Sequence, residues 1–358
     1  MTSFKLTPMV MAIPVFFLLI GLEIWLSRRR KLNNYPLQDT VTSLNVGIMS
    51  QFVNPVGAVV SVVMYGAVQK TYGAFEWDTS HWWTWVSALV LYDFGYYWVH
   101  RTGHEVNLFW AAHVVHHNSE EFNLSTALRQ ASTGFYFKWV FYMPLAVLGY
   151  PLQVFIVVGL IDLLYQFWVH TQLINRLGWM EYVFITPSNH RVHHGKNAYC
   201  VDRNYGGIFC VWDRLFGTFA EERRDEPVVY GIRSPVQSWN PLWANVHHYV
   251  VIWRKMKSMT GWRDKLMCWF ASPGWQPQGQ VPLTDADLDA TKFRSSAPLW
   301  SSSLAVVATV LASILLVLFL GSRATMGWPA QGVAVLAAVI AVGLLGAWWS
   351  KRNWVSRS

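Results

Sequence analysis

Long apolar runs set the strongest limit on how this chain can fold. A helix needs about 20 apolar residues to cross the roughly 30 Å hydrocarbon core of a bilayer. Five runs approach that length, at residues 9–26, 46–67, 82–99, 304–320 and 328–349. Because backbone groups in lipid must pair within their own segment, these runs predict α-helices. Only 13% of the residues are charged, against about 25% in soluble domains. The sequence therefore predicts an all-α integral membrane protein with several spans.

A further pair of apolar segments predicts a hairpin in the membrane at residues 135–170. Its arms are residues 135–148 and 151–169, and the chain turns at Gly149-Tyr150-Pro151, a composition typical of turns. The first arm is short and carries Lys138, which indicates a tilted or half-depth helix. The chain is expected to leave and return on the same side of the membrane.

Basic residues predict the orientation of the spans. Arg28, Arg29, Arg30 and Lys31 follow the first apolar run, and such clusters remain in the cytoplasm. Threading the later runs from that point places the amino terminus outside and every histidine cluster described below on the cytoplasmic side. The net charge of +8 suits anionic membrane lipids at that face. Nucleic-acid binding is not predicted, since the basic residues form no stripe on a soluble domain.

Eight of the twelve histidines fall into three short clusters with helical spacing. Positions i, i+3 and i+4 of an α-helix share one face, so each cluster is predicted to aim its rings at a common point. Eight ring nitrogens exceed the tetrahedral donor set of one zinc ion and suit two transition-metal ions instead. Imidazole is a good ligand for iron. The candidate metal ligands are His100, His104, His113, His116, His117, His190, His193 and His194.

Other polar residues near the clusters are candidates for supporting roles. His170 ends the second arm of the hairpin on the same side and is the best candidate for a ninth ligand. Glu105 follows His104 and is predicted either to act at the metals or to be an exposed charge at a helix end. Asp93 lies seven residues before His100 and shares its helical face. Asp93 and, more weakly, Asp162 could accept a hydrogen bond from a ligand histidine or make a polar contact between helices.

The remaining histidines are predicted not to bind the metals. His81 precedes His100 by 19 residues, which corresponds to about 28 Å along a helix. His247 and His248 are adjacent and lack a partner at i+3, so their rings point about 100° apart. A structural role is expected for both.

Several motifs together resemble the fatty acid hydroxylase/sterol desaturase superfamily. They are HRTGHE, then FWAAHVVHHNSEEFNLSTALRQ, then TPSNHRVHHGKN with DRNYGG and WDRLFGTF. Within the superfamily, NLSTALRQ and the later PGWQP are most similar to the alkylglycerol monooxygenase branch. The resemblance extends from the first apolar run to about Pro277, and the final helical pair also fits that branch.

The resemblance implies a multi-span helical bundle with a cytoplasmic helical cap that holds a histidine-rich di-iron site. It implies that the eight clustered histidines are iron ligands and that Glu105, an acidic residue beside them, has a catalytic role. The implied cofactors are two iron ions, with a tetrahydropterin or another external electron donor. The chain then divides into N-terminal transmembrane helices (1–99), a catalytic region that includes the hairpin (100–297) and a C-terminal transmembrane pair (298–358).

The predicted activity is the O₂-dependent hydroxylation of a C–H bond in a membrane lipid. If the attacked carbon bears an ether oxygen, the product is a hemiacetal that collapses to an aldehyde and an alcohol, which is the reaction of the branch. The predicted partners are the lipid, O₂, and either a reduced pteridine or an electron-donor protein.

Three alternatives remain open. A sterol or fatty-acyl hydroxylase or desaturase would use a separate cytochrome or ferredoxin, since none is fused here. A zinc membrane hydrolase usually carries HExxH, which is absent because Glu105 follows its histidine pair instead of splitting one. A metal transporter or sensor would place its ligands near the bilayer midplane, whereas these histidines lie at or beyond the cytoplasmic ends of the runs.

Overall fold

The computed structural model describes residues 8–279, 284–286, 288–294 and 299–352. Within these ranges the regular structure is helical, and strand-like pairing is limited to two isolated bridges, Phe184–Phe209 and Gly195–Tyr230. The predicted all-α class is therefore confirmed for the described residues.

Among the described residues, three helices are long and apolar enough to cross a membrane. They are α1 (Pro8–Arg29), α13 (Leu299–Ser322) and α14 (Trp328–Arg352), and their apolar stretches have mean hydropathies between 2.2 and 2.8. These helices correspond to the first and the last two predicted spans. α1 ends in Arg28 and Arg29, so the basic cluster follows the apolar part directly.

The two other predicted spans form helices with different properties. α2 (Leu37–Tyr72) starts before the expected residue 46 and bends by 44° after Pro55, so it counts as a fourth span only if both halves are taken together. Proline lacks the N–H that the preceding turn needs, which explains the bend. α3 (Trp82–Glu105) continues through the first histidine cluster. α3 is not among the helices that are apolar enough to cross a membrane, because its tryptophans, its tyrosines and Asp93 lower its mean hydropathy.

The predicted hairpin has one broken arm and one regular arm. The first arm consists of α6 (Phe135–Lys138), a 3₁₀ turn (Trp139–Tyr142) and α7 (Met143–Val147). Pro144 is the second residue of α7 and has no N–H with which to continue the hydrogen bonding of the turn before it. The second arm is α8 (Leu152–Trp168). The turn requires Gly149, whose φ is +89° and where a Cβ would lie 2.0 Å from the Phe75 carbonyl oxygen.

Further helices outside these apolar elements form, together with the end of α3, the region around the histidines. They are α4 (Asn107–His117), α5 (Leu124–Ala127), α9 (Pro187–His193), α10 (Val211–Phe216), α11 (Pro241–Ser258) and α12 (Trp262–Phe270). α3 packs on α4 and α8, and α11 packs on α4 and α12. The ends of α3 and α8 therefore lie beside the histidine-bearing α4.

Candidate metal centre and adjoining cavity

All nine histidines predicted as ligands come together in two groups. The five-histidine group consists of His100, His104, His113, His117 and His193, and the four-histidine group consists of His116, His170, His190 and His194. Within each group the candidate ligand nitrogens lie within 4.8 Å of one another. Eight of the nine rings are buried, and His113 is half-buried. The structure therefore brings His170 to the clustered histidines, as expected for a ninth candidate.

The prediction that each cluster aims at a single point is wrong for the two HxxHH motifs. In α4, His113 and His117 join the five-histidine group while His116 joins the other. In α9 the division is reversed, since His190 and its i+4 partner His194 join the four-histidine group and His193 does not. The reason is helical geometry: residues i and i+4 nearly overlie one another, whereas i+3 and i+4 point about 100° apart. Each motif therefore contributes to both groups.

The local sequence fixes the start of α9 and so the direction of its rings. Thr186 is the N-cap, and its side chain and that of Asn189 bond each other's backbone N–H in a capping box. Pro187 follows at the first helical position, where its missing N–H costs nothing. The capping box and Pro187 therefore fix the start of this seven-residue helix one turn before its first histidine, His190.

Backbone carbonyls orient four of the rings. The Nδ1 atoms of His100, His116, His170 and His193 lie 2.8, 3.0, 2.7 and 2.9 Å from the carbonyl oxygens of Tyr205, Arg129, Gln166 and Arg203, respectively. A carbonyl only accepts, so each Nδ1 carries the hydrogen. In a neutral ring Nε2 is then left as a lone-pair donor for a metal, which is the usual arrangement of metal-ligating histidine.

The contact between His116 and His170 has an arrangement that a cation would stabilise. Their Nε2 atoms are 3.1 Å apart, although both rings use Nδ1–H toward a carbonyl. In neutral rings two lone pairs face each other at this distance, which is repulsive unless a positive ion lies between them. Two imidazole ligands at right angles on an ion with bonds of about 2.1 Å would have nitrogens about 3 Å apart. The donor set thus fits a transition-metal ion.

Other nitrogens of the two groups show the same need for a partner. His104 Nε2 and His193 Nε2 are buried and have no hydrogen-bond partner. Burial lowers the pKa of His193 to about 4, with partial compensation from the Arg203 carbonyl. It also lowers the pKa of His194 well below its usual value, with further contributions from neighbouring rings. The rings are therefore neutral at physiological pH, as metal ligands must be.

Two buried carboxylates hold the loop that orients His100. Asp93 accepts hydrogen bonds from the Ile208 and Phe209 N–H groups at 2.6 and 3.2 Å and from the Trp212 indole at 2.8 Å. Asp213 accepts from the Tyr205 and Gly206 N–H groups at 2.7 and 2.8 Å. One of the two roles predicted for Asp93 was to accept a hydrogen bond from a ligand histidine. Its hydrogen bonds go to the loop and to Trp212 instead. It acts one step further away, through the loop whose Tyr205 carbonyl meets His100.

Asp162 also lies outside direct contact with the histidine rings. Its Oδ2 accepts from Gln166 Nε2 at 2.7 Å, and Gln166 Oε1 accepts from the Tyr96 hydroxyl at 2.6 Å. The backbone of Gln166 supplies the carbonyl that orients His170. Gly207 approaches both acids so closely that an added Cβ would lie 2.5 Å from Asp162 Oδ1 and 2.7 Å from Asp93 Oδ1. Only glycine fits that position.

Glu105 belongs to neither histidine group. Its Oε1 accepts from Arg101 Nε at 2.9 Å, and its side chain is 41% exposed. Asp202, which sequence reasoning did not single out, lies beside one of the rings, with Oδ1 3.9 Å from His104 Nδ1. Glu105 and Asp202 form a polar rim beside the five-histidine group. The predicted catalytic role of Glu105 stays a prediction.

The three histidines predicted not to bind metal lie outside both groups. His81 contacts Asp78 at 3.5 Å and is largely exposed. His247 Nδ1 lies 3.0 Å from the Ala244 carbonyl oxygen, and His248 Nε2 lies 2.7 Å from Asn107 Oδ1. Both are therefore engaged in contacts within the helical region.

An apolar cavity of about 470 Å³ leads to the histidines. That volume is typical of small-molecule sites. Its walls include residues of α1, α2, α3, α8 and α13, and His113, His116 and His170 are part of its lining. A smaller cavity of about 40 Å³ is also lined by His113 and His116 and contacts His100. A long apolar chain could thus lie among the membrane helices with one end beside the histidines.

The carbonyls of Tyr205, Arg129, Gln166 and Arg203 were missed by sequence reasoning, because every residue carries a carbonyl and none has a sequence signature. Asp213 and Tyr205 could have been found, since they belong to the quoted motifs WDRLFGTF and DRNYGG. The cavity had no sequence signal, because its walls come from helices far apart in the chain.

Comparison with known proteins supports the motif analysis. Residues 85–218 match the family model described as Fatty acid hydroxylase. This range contains all nine histidines of the two groups. No solved structure matches the chain.

Curated relatives extend the similarity beyond that domain. An alkylglycerol monooxygenase of Xenopus tropicalis is 44% identical over 264 residues, 73% of this chain and 58% of the relative. The Homo sapiens alkylglycerol monooxygenase is 42% identical over 271 residues, 74% of this chain and 59% of the relative. An ornithine lipid hydroxylase of Rhizobium tropici is 32% identical over 159 residues, covering 42% of this chain and 46% of the relative.

The chain spans less than two thirds of the length of these relatives, 58–59% for the two alkylglycerol monooxygenases. The match to the family model and these relatives confirm the resemblance predicted from the motifs. The chain carries a fatty acid hydroxylase family domain.

Proposed function

We propose that this protein is a membrane-bound di-iron monooxygenase that uses O₂ to hydroxylate a lipid. The observation that carries the proposal is the convergence of nine neutral histidines in two groups, three of which, His113, His116 and His170, line an apolar cavity. A metal centre alone would suit many functions, and an apolar cavity alone would suit lipid binding. Their junction favours chemistry on a lipid, as do the names of the curated relatives.

The five-histidine group would hold one iron ion and the four-histidine group the other. Nitrogen ligands suit iron, and neither group supplies enough donors to close an octahedral shell. Bound iron would supply the redox chemistry that activates O₂. The protein's own share is to keep the rings neutral by burial, to orient them through backbone carbonyls and to exclude water from the reacting carbon.

The proposed reaction inserts one oxygen atom of O₂ into a C–H bond, and the other oxygen atom leaves as water. Two protons and two electrons from an external donor balance it. A tetrahydropterin is the donor we favour, by analogy with the alkylglycerol monooxygenase branch; an electron-donor protein is the alternative. If the hydroxylated carbon bears an ether oxygen, the hemiacetal collapses to an aldehyde and a free alcohol.

We further propose that the lipid enters from the membrane and that the histidines face the cytoplasm, with the amino terminus outside. The basic residues that end α1 support this orientation. Glu105 and Asp202, on the polar rim beside His104, would then face the side from which a soluble reductant arrives. Anionic lipids of the cytoplasmic leaflet would contact the basic residues there.

Metal analysis combined with O₂ uptake tests the proposal. Purified protein should contain two irons per chain and should consume O₂ when an alkylglycerol and a reduced pterin are added. Formation of a long-chain aldehyde would identify ether cleavage, and a hydroxylated lipid without aldehyde would identify the alternative hydroxylase activity. His116→Ala should abolish uptake, while His81→Ala, which changes an exposed histidine, should not. A single zinc ion and no O₂ consumption with any lipid would refute the proposal.

A further inference from the structure

α11 carries an apolar stripe on its exposed face. Leu242, Val246 and Trp253 lie within about 40° of one another around the helix axis, and they are between 38% and 49% exposed. Another face of α11 is buried, where Ile252 packs with Ala111 of α4. α11 is not among the described helices that are apolar enough to cross a membrane. A span through the bilayer therefore does not explain its exposed stripe.

α12 adds a second stripe of the same kind. Trp262, Leu266 and Phe270 are spaced four residues apart, so they share one face of the helix, and each is at least half exposed. Arg263 and Lys265 are exposed as well, and their helical positions lie at the two edges of this stripe. An apolar face bordered by basic residues is typical of helices that lie in a membrane surface.

The α11–α12 pair (residues 241–270) is basic as well as apolar. It contains one acid, Asp264, and five basic residues, Arg254, Lys255, Lys257, Arg263 and Lys265. None of these five forms an ion pair with the part of the chain that the structure describes. A partner that covers this face must therefore supply negative charge. A second copy placed face to face would bring like charges together instead.

The start of α11 packs against the end of a membrane span. A Cβ added at Gly346 of α14 would lie 2.3 Å from Pro241 Cδ. A Cβ added at Gly343 would lie 3.5 Å from Leu242 Cβ. The apolar stretch of α14 ends at Ser350, which corresponds to about 6 Å beyond Gly346 along the helix. α11 therefore begins close to the level at which α14 leaves the hydrocarbon core.

We propose that the α11–α12 pair docks on the headgroup region of a membrane leaflet that contains anionic lipids. Trp253 and Trp262 would lie at the boundary between headgroups and acyl chains, where tryptophan is favoured. Leu266 and Phe270 would reach the outer part of the acyl chains. The basic side chains would pair with phosphate and carboxylate oxygens of the headgroups. Only the identification of this leaflet as the cytoplasmic one rests on the orientation proposed above.

Docking of this pair would also set the depth of the histidines relative to the membrane. Asn107, at the start of α4, donates through Nδ2 to the Cys268 carbonyl of α12 at 2.7 Å. Its Oδ1 lies 2.7 Å from His248 Nε2 of α11. α4 is thus tied to both helices of the pair, and it carries three of the nine grouped histidines. A lipid held in the bilayer would then meet the histidines at a constant depth.

Site-directed fluorescence tests the docking. The full chain, labelled at Leu266→Cys, would be placed in nanodiscs of zwitterionic lipid with or without phosphatidylserine. The native cysteines, Cys200, Cys210 and Cys268, are buried. Quenching would be measured with acrylamide, which is neutral and stays in water, and with lipids that carry a nitroxide near the headgroup. Asp225→Cys, at an exposed position outside the pair, is the labelled control.

With phosphatidylserine present, nitroxide lipid should quench the label at Leu266→Cys about fivefold more strongly than the label at Asp225→Cys. Acrylamide should quench the two labels in the reverse order. Arg263→Gln/Lys265→Gln in the labelled chain should lower the lipid quenching about twofold, to the value found in zwitterionic lipid. Arg224→Gln, which removes an exposed arginine outside the pair, should leave it unchanged.

Three outcomes would overturn the inference. Equal acrylamide quenching at Leu266→Cys and Asp225→Cys would show that the face is in water, and protection from both quenchers would show that protein covers it. Lipid quenching that ignores both phosphatidylserine and Arg263→Gln/Lys265→Gln would exclude recognition of anionic headgroups. Val246→Cys gives an independent reading on α11, and thermal unfolding shows whether each variant is folded. No lipid is oxidised in these measurements, so their result and that of the O₂-uptake test are separate.

Discussion

The two histidine groups are built from the same helices but differ in their surroundings. The five-histidine group touches the polar rim, where His104 lies 3.9 Å from Asp202, a residue whose side chain is 53% exposed. Beside the four-histidine group lies Phe122, whose ring is 5.5 Å from His170 and 5.2 Å from His194, centroid to centroid. Phe122 is fully buried. The comparison teaches that one group connects the surface to the cavity, whereas the other is enclosed and meets only the cavity.

Removing a ligand from either group should have the largest effect and should separate the two. His170→Ala leaves three histidines in the enclosed group, and His104→Ala leaves four in the other. Both variants should lose more than about 100-fold in activity, since even residues behind metal ligands can contribute 10–100-fold. Metal analysis should find about one ion in His170→Ala and nearly two in His104→Ala. Equal losses of metal from the two variants would mean that the two groups tolerate the loss of one histidine ligand equally.

A change behind the five-histidine group should have a smaller effect that is confined to that group. Asp93→Asn places an amide N–H₂ where the Asp93 carboxylate accepts three hydrogen bonds. Because the loop it holds supplies the carbonyl that orients His100, we expect metal affinity of this group to fall about 10–100-fold. Chelator titration with metal analysis would measure the loss.

Asp78→Asn is the control for that change, since Asp78 lies in an exposed turn and is 61% exposed. Release of both ions together from Asp93→Asn, at the same chelator concentration, would contradict a local effect on the five-histidine group.

The smallest effect is expected from a substitution in the wall of the cavity that histidines of both groups line. Ala58 lines its wall on α2, and Ala58→Phe should shorten the space for a hydrocarbon chain. KM should rise about tenfold for long chains and little for short ones, because a pocket discriminates by only ~1–3 kcal/mol per methylene. Val60→Phe, at an exposed position on the same helix that does not line the cavity, is the control. An equal rise for short and long chains would argue against the cavity as the chain-binding site.

The identity of the nine histidines could be predicted because side-chain type and helical spacing are properties of a single segment. The split within each HxxHH motif follows from helical geometry, but the group that each part of a motif joins could not be predicted, since it depends on how α4 and α9 are rotated against each other. The same limit explains Asp93, whose partners come from a loop more than 100 residues later. For α3 the information was in the segment itself, because its aromatic residues and Asp93 lower its mean hydropathy.

The crossed contributions of the two HxxHH motifs have a consequence for how the protein is made. During synthesis, α4 leaves the ribosome with ligands for both ions but completes neither group, because His170, His190, His193 and His194 follow later. Neither group can reach its full ligand set until α9 has packed against α3 and α4. Iron acquisition should therefore be a late event in biogenesis, and both ions should depend on the same final packing step. A truncated or misinserted chain would be left without a complete, redox-active site.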